Sequence, residues 1–252
     1  MAFTYGTIWG DYGDEKAETS AKFHPLGTRM VLPDGRVYYY AKNSSAAISS
    51  GGVIVDGIAA VAAHDMDVAA TATSAGAITF TSGTSLTVTK DQYADGYALF
   101  NDGPGEGECY RVQSNTAVAG ATGLSITIDD DSGLATALTT ASLFGLAYNP
   151  YTDVKALDGD STQTTGPLGV TTMPLTASYY CWIQTSGICS VLSGAVVAIV
   201  GDAIGVSQAS GETGAFDLWD SSANEDTRPI GHAMNVPSVD TDYQIVMLAI
   251  RN

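Results

Sequence analysis

Short β-type runs recur along this chain at intervals of about ten residues, and a cluster of turn residues closes each one. The runs are AITFTS (77–82), SLTVTK (85–90), YALFN (97–101), CYRVQS (109–114), LSITID (124–129), YYCWIQT (179–185), ICSVLS (188–193), AVVAIV (195–200), FDLWDS (216–221), PIGHAMNV (229–236) and YQIVMLAIRN (243–252). Most are rich in β-branched and aromatic residues, which suit a pleated, half-buried surface. Ser-Gly-Thr, Ala-Asp-Gly, Pro-Gly-Glu-Gly and Thr-Ser-Gly separate them. This rhythm predicts an all-β protein built of sandwich or barrel units. Helical signals are few: an Ala-rich stretch at 56–72, weakened by its Val, Ile and Gly57, and one or two turns at 132–142.

The 252 residues suffice for one large β domain or two smaller ones. With 45% hydrophobic and 15% charged residues the chain can bury a core, which excludes a disordered protein. Four segments are expected. Residues 1–52 form an extended N-terminal arm with the small hairpin VLPDGRVYYY, and 53–150 form a first β unit. The polar, Pro- and Gly-bearing stretch 151–178 is an extended linker, and 179–252 form a second β unit.

The charge is uneven. Residues 1–42 hold five basic and five acidic residues, so the whole formal charge of −17 lies beyond position 42. A body this acidic is repelled by nucleic-acid phosphates, which argues against DNA or RNA as a partner. The N-terminus lacks the basic start and apolar core of a secretory signal, and no run reaches membrane-spanning length. A soluble protein made in the cytoplasm, without a membrane partner, is the expectation.

Cys109, Cys181 and Cys189 do not describe a disulfide framework. YYCWIQTSGICSVL reads as a hairpin. A two-residue turn at Ser186-Gly187 puts Cys181 and Cys189 on opposite faces of it, and a three-residue turn puts them on a diagonal. All three cysteines read as buried small hydrophobes, and no spacing suits zinc.

Motifs for chemistry are scarce. His24, His64 and His232 each stand alone. His64 beside Asp65 and Asp67 suggests a metal only weakly, and a solvated face is the better reading; His232 reads as half-buried in a strand. The glycine-rich run NDGPGEGECY (101–110) has acids where a phosphate would sit and reads as a tight β connection. Calcium at this loop, at Asp129-Asp130-Asp131 or at Asp158-Gly159-Asp160 lacks EF-hand spacing. The 27 acids offer many carboxylate pairs and select none for glycoside cleavage. Trp182, Trp219 and Tyr179 could form a sugar platform, although aromatics in alternating strands are more often core. No cofactor, metal or catalytic motif is recognised, and the chain is not expected to be an enzyme.

Four stretches carry a resemblance. They are PLGTRMVLPDGRVYYYAKNSSAAISSGGVIV; DQYADGYALFNDGPGEGECYRVQSN; LSITIDDDSGLATALTTASLFGLAYNPYTDV; and the final set YYCWIQTSGICSVLSG, VGDAIGVSQASGETGAFD, RPIGHAMN and YQIVMLAI. Together they resemble the capsid decoration (cement) proteins of tailed phages, of the marine-phage type, over most of the chain. The resemblance implies a β-rich virion protein on the outer capsid surface that bridges subunits of the major capsid protein, often as a homotrimer. The residues fit that reading. Tyr buries a large area at low entropy cost, so the neutral arm, with Arg29, Arg36, Tyr38, Tyr39 and Tyr40, is the expected capsid or subunit contact. A head-fibre or tail-associated adhesin for host glycans is the alternative, and a glycan hydrolase or lyase a distant third.

Overall fold

The computed structural model describes residues 6–158, 165–195, 198–219, 228–235 and 242–251. In chain order the strands are β1 (Ile8–Trp9), β2 (Arg29–Val31), β3 (Val37–Lys42), β4 (Ile54–Asp56), β5 (Val68–Ala69), β6 (Thr79–Thr81), β7 (Leu86–Val88), β8 (Tyr97–Asp102), β9 (Cys109–Asn115) and β10 (Val118–Ala121). There follow β11 (Ser125–Ile128), β12 (Leu143–Ala147), β13 (Lys155–Ala156), β14 (Gly169–Thr171), β15 (Tyr180–Leu192), β16 (Ala203–Val206), β17 (Phe216–Leu218), β18 (Gly231–Ala233) and β19 (Tyr243–Ala249). The fold is all-β, with three sheets that include a curled half-barrel. Among the described residues the only helical element is a 3-10 turn at Asp14–Lys16. The Ala-rich stretch 56–72 holds the end of β4, a series of turns and β5 in place of the expected helix. Its backbone serves β pairings at both ends, and tertiary pairing overrides a weak local propensity.

The chain divides into two compact units, one of residues 1–58 and 150–252 and the other of residues 59–149. The second is inserted between β4 and β13, which pair antiparallel through Asp56 with Lys155 and Val55 with Ala156. In the inserted unit β5-β12-β8-β9-β11-β6 form one sheet and β10-β7 a ribbon. Its core centres on Phe80, Phe100 and Phe144, with Phe80 centroids 5.2 and 5.1 Å from the other two rings.

In the larger unit the main path of the sheet is β1-β2-β3-β15-β19-β18-β16-β17. Residues 6–52 are therefore built into the fold and do not extend from it as an arm. β3 is an interior strand, paired on one edge with β2 and on the other with β15. The 151–178 stretch, expected as a linker, supplies β13 and β14 and buries Tyr151, Val154, Leu157, Val170 and Leu175. Its inward residues are spaced singly among polar ones, so it carries no continuous apolar run that would announce a strand.

β15 corrects another expectation. Residues 180–192 form one 13-residue strand, not a hairpin. Its first half pairs with β3 and its second half with β19, and the register shifts between Gln184 and Ser186. The bulge adds Thr185, opposite the step from Tyr38 to Val37, while Ser186 and Gly187 stay in register with Ala249 and Leu248 of β19. Gly187, next to the bulge, has a positive φ of 90°, which glycine adopts without strain. The Gln184 side-chain amide donates to the Ser186 and Ile188 carbonyls at 3.1 and 2.8 Å, tying together the two sides of the bulge. AVVAIV does not form the expected strand in its described residues; 196–197 lie outside them.

Candidate functional site

Alternation in β3 would expose every second side chain if one face of the sheet were open. Both faces are covered, so Tyr38, Tyr39 and Tyr40 retain only 0, 5 and 3% of their accessible surface. Tyr38 donates its hydroxyl to Gln184 Oε1 at 3.2 Å, Tyr39 stacks on Tyr151, and Tyr40 stacks on Tyr180. Burial raises the Tyr38 and Tyr40 phenols above their ordinary range. These three tyrosines are core residues, which does not fit the expectation that they touch a capsid subunit. Arg29 is half-buried in β2 and donates to Thr7 Oγ1 at 3.3 Å. Arg36 lies in the β2–β3 turn, where Nε reaches Asp34 at 2.7 Å and Nη1 the Tyr38 hydroxyl at 2.8 Å.

Other aromatics of the same segment do face outward. Trp9, Tyr12 and Phe23 are 79, 64 and 63% exposed. β1 holds Trp9 by parallel pairing to Val31 of β2, and the Phe23 amide donates to the Tyr40 hydroxyl at 3.2 Å. The signal that could have found them is their position: Tyr12 and Phe23 lie outside the strands of the segment, and Trp9 ends the two-residue strand β1.

A cleft of about 400 Å³ lies in the larger unit, where β15 changes partner. Glu15, Lys16, Arg36, Gln184, Ile188 and Tyr243 are among its lining residues. Ile188 and Tyr243 are 51 and 42% exposed, whereas Glu15 is 5% exposed and accepts the Gly13 amide at 2.6 Å. Of the aromatics expected as a sugar platform, Trp182 belongs to the core and Tyr179 and Trp219 are half-buried; none lines this cleft.

The remaining candidates resolve structurally. Cys181 and Cys189 are buried free thiols pushed up to about 12 by desolvation, as expected of small hydrophobes. Cys109 is exposed, contrary to expectation. His64 is buried, not solvated: Nδ1 sits 2.7 Å from the Tyr93 hydroxyl, and burial lowers its pKa. His232 on β18 is exposed. His24 packs edge-on against Tyr40 at 5.2 Å. The 101–110 run forms the tight connection between β8 and β9, with Gly103, Gly105 and Gly107 at positive φ. Asp129 lies 3.7 Å from Arg111, and Asp130 caps the Ser132 amide at 2.8 Å; Gly159 and Asp160 lie outside the described residues. Glu212 and Asp217 meet at the Ser207 hydroxyl, 2.5 and 2.9 Å away, a carboxylate pair that the sequence did not single out. Among the described residues no group of three or more His, Cys, Asp or Glu side chains could hold a metal ion. Comparison with family models, curated proteins and solved structures returned no match for this chain.

Proposed function

We propose that this chain is a structural virion protein that decorates the outer surface of a tailed-phage capsid, bridges subunits of the major capsid protein and stabilises the head. The observation that carries the reading is the set of exposed aromatics Trp9, Tyr12 and Phe23 on the one segment without net charge. Covering each ring contributes about 1–2 kcal/mol, before the entropy of association is subtracted. The acidic remainder faces solvent, because it would be repelled by DNA packed inside a head. Stabilisation needs no chemistry: a protein that binds only the assembled shell favours that state by mass action. Copies assembled as a homotrimer would bridge several subunits at once.

The test is the copy number in purified virions, measured against the major shell protein. Hundreds of copies in a fixed ratio support the reading. A handful moves the protein to the tail or a fibre, and absence overturns both placements. The contact is tested by substitution, because removing residues 1–50 would strip β2 and β3 from the sheet. Trp9→Ala with Phe23→Ala is expected to weaken shell binding at least ~10-fold while the fold survives.

The second reading is an adhesin for host glycans. The cleft beside Tyr243 favours it, since an exposed ring in a polar hollow is what a sugar face stacks on.

A further inference from the structure

The cleft in the larger unit has a composition that selects its ligand. Ile188 and Ser190 project from one face of β15, and Tyr243 stands opposite Leu192 on β19, on the same face. Gly52 backs the ring: a Cβ at that position would lie 2.8 Å from Tyr243 Cε1, so only glycine lets the backbone approach it. One wall is therefore apolar, partly exposed and held in position.

The rest of the lining is polar: Lys16 and Arg36 stand against Glu15, and Asp34, just outside the lining, offsets the Arg36 charge. Lys16 is exposed and makes no ion pair among the described residues. Arg36 is tied to Asp34, and Glu15 is buried nearby. An anionic ligand would meet Glu15 and the field of a chain with charge −17. A cationic ligand would meet Lys16 and Arg36. A neutral ligand that both donates and accepts hydrogen bonds, and has one apolar face, meets neither penalty. The volume of about 400 Å³ lies within the roughly 300–1,000 Å³ of small-molecule sites.

We infer that this cleft binds a neutral saccharide, with a pyranose face against Tyr243 and Ile188 and its hydroxyls toward Glu15, Lys16 and Arg36. This rests on the second of the two functional readings. It is tested on the purified full chain, whereas placement in the virion is tested on particles, so each can fail alone. The measurement is saturation-transfer NMR with maltose, lactose, cellobiose and mannobiose, using sialyllactose and glucosamine as charged controls. Transfer to ring protons of at least one neutral disaccharide is expected. Tyr243→Ala should weaken that binding at least ~10-fold, the equivalent of about 1.4 kcal/mol for a lost ring contact. Lys16→Ala, which changes an exposed side chain and removes no core packing, should weaken it less. No transfer to any neutral disaccharide overturns the inference. So does binding that neither variant changes, or tighter binding of a charged control.

Discussion

Tyr39 of β3 and Tyr151 stack with ring planes 2° apart and centroids 5.3 Å apart. The Arg251 guanidinium lies 4.9 Å from the Tyr39 ring centre, and its Nη1 donates to the Tyr151 hydroxyl at 3.2 Å. Residues from the start, middle and end of the chain thus close one core. The tyrosines are buried because β3 is hydrogen-bonded on both edges and covered on both faces.

This stack gives a stability prediction. Tyr39→Ala should cost about 3–5 kcal/mol, the range for emptying a buried aromatic site. The expected readout is a drop in Tm of roughly 10 °C in a thermal melt. A change near zero would mean that the ring is not packed in solution.

His64 gives a pH prediction. Burial against Tyr93 holds its folded pKa below the ordinary 6.5, although Asp65 pulls it upward. The unfolded chain therefore binds the proton first as pH falls. Stability is full above the unfolded value and declines from there toward the folded pKa, by at most about 1.4 kcal/mol per pH unit. His24 is shifted in the same direction, also by burial. The lowered carboxyls of Asp34 and Glu108 act in a separate, more acidic window. Melts between about pH 7.5 and 5.5 should show a shallower Tm slope for His64→Gln than for the parent. An equal slope would assign the titration to another group.

The thiols give a labelling prediction. Iodoacetamide at about pH 8 should modify Cys109 in the native protein, and all three cysteines only after denaturation. Cys181 and Cys189 are protected twice, by exclusion of the reagent and by thiols pushed up to about 12. Rapid native labelling of three thiols, read by intact mass, would show that the sheet opens around β15.

The sequence by itself determined the all-β class and most of the strands that lie between turn clusters. β8, β9, β11 and β19 fall within a few residues of runs visible by composition alone. Local spacing carries that information because strand period and turn chemistry are local properties. Pairing is not local. Only the tertiary structure decided that Ser186-Gly187 continues a strand past a bulge at Thr185 and is not a turn, because β3 and β19 lie ready to take successive halves of β15. It also decided that β13 and β14 join the sheet, since single apolar residues become core only when a partner strand covers them. The candidate contact and cleft were less legible for the same reason. Tyr38, Tyr39 and Tyr40 read as a display surface, yet β15 and Tyr151, which help to bury them, lie more than a hundred residues away. Trp9, Phe23 and Tyr243 remain exposed because, among the described residues, no strand covers them, and side-chain chemistry alone does not distinguish the two sets.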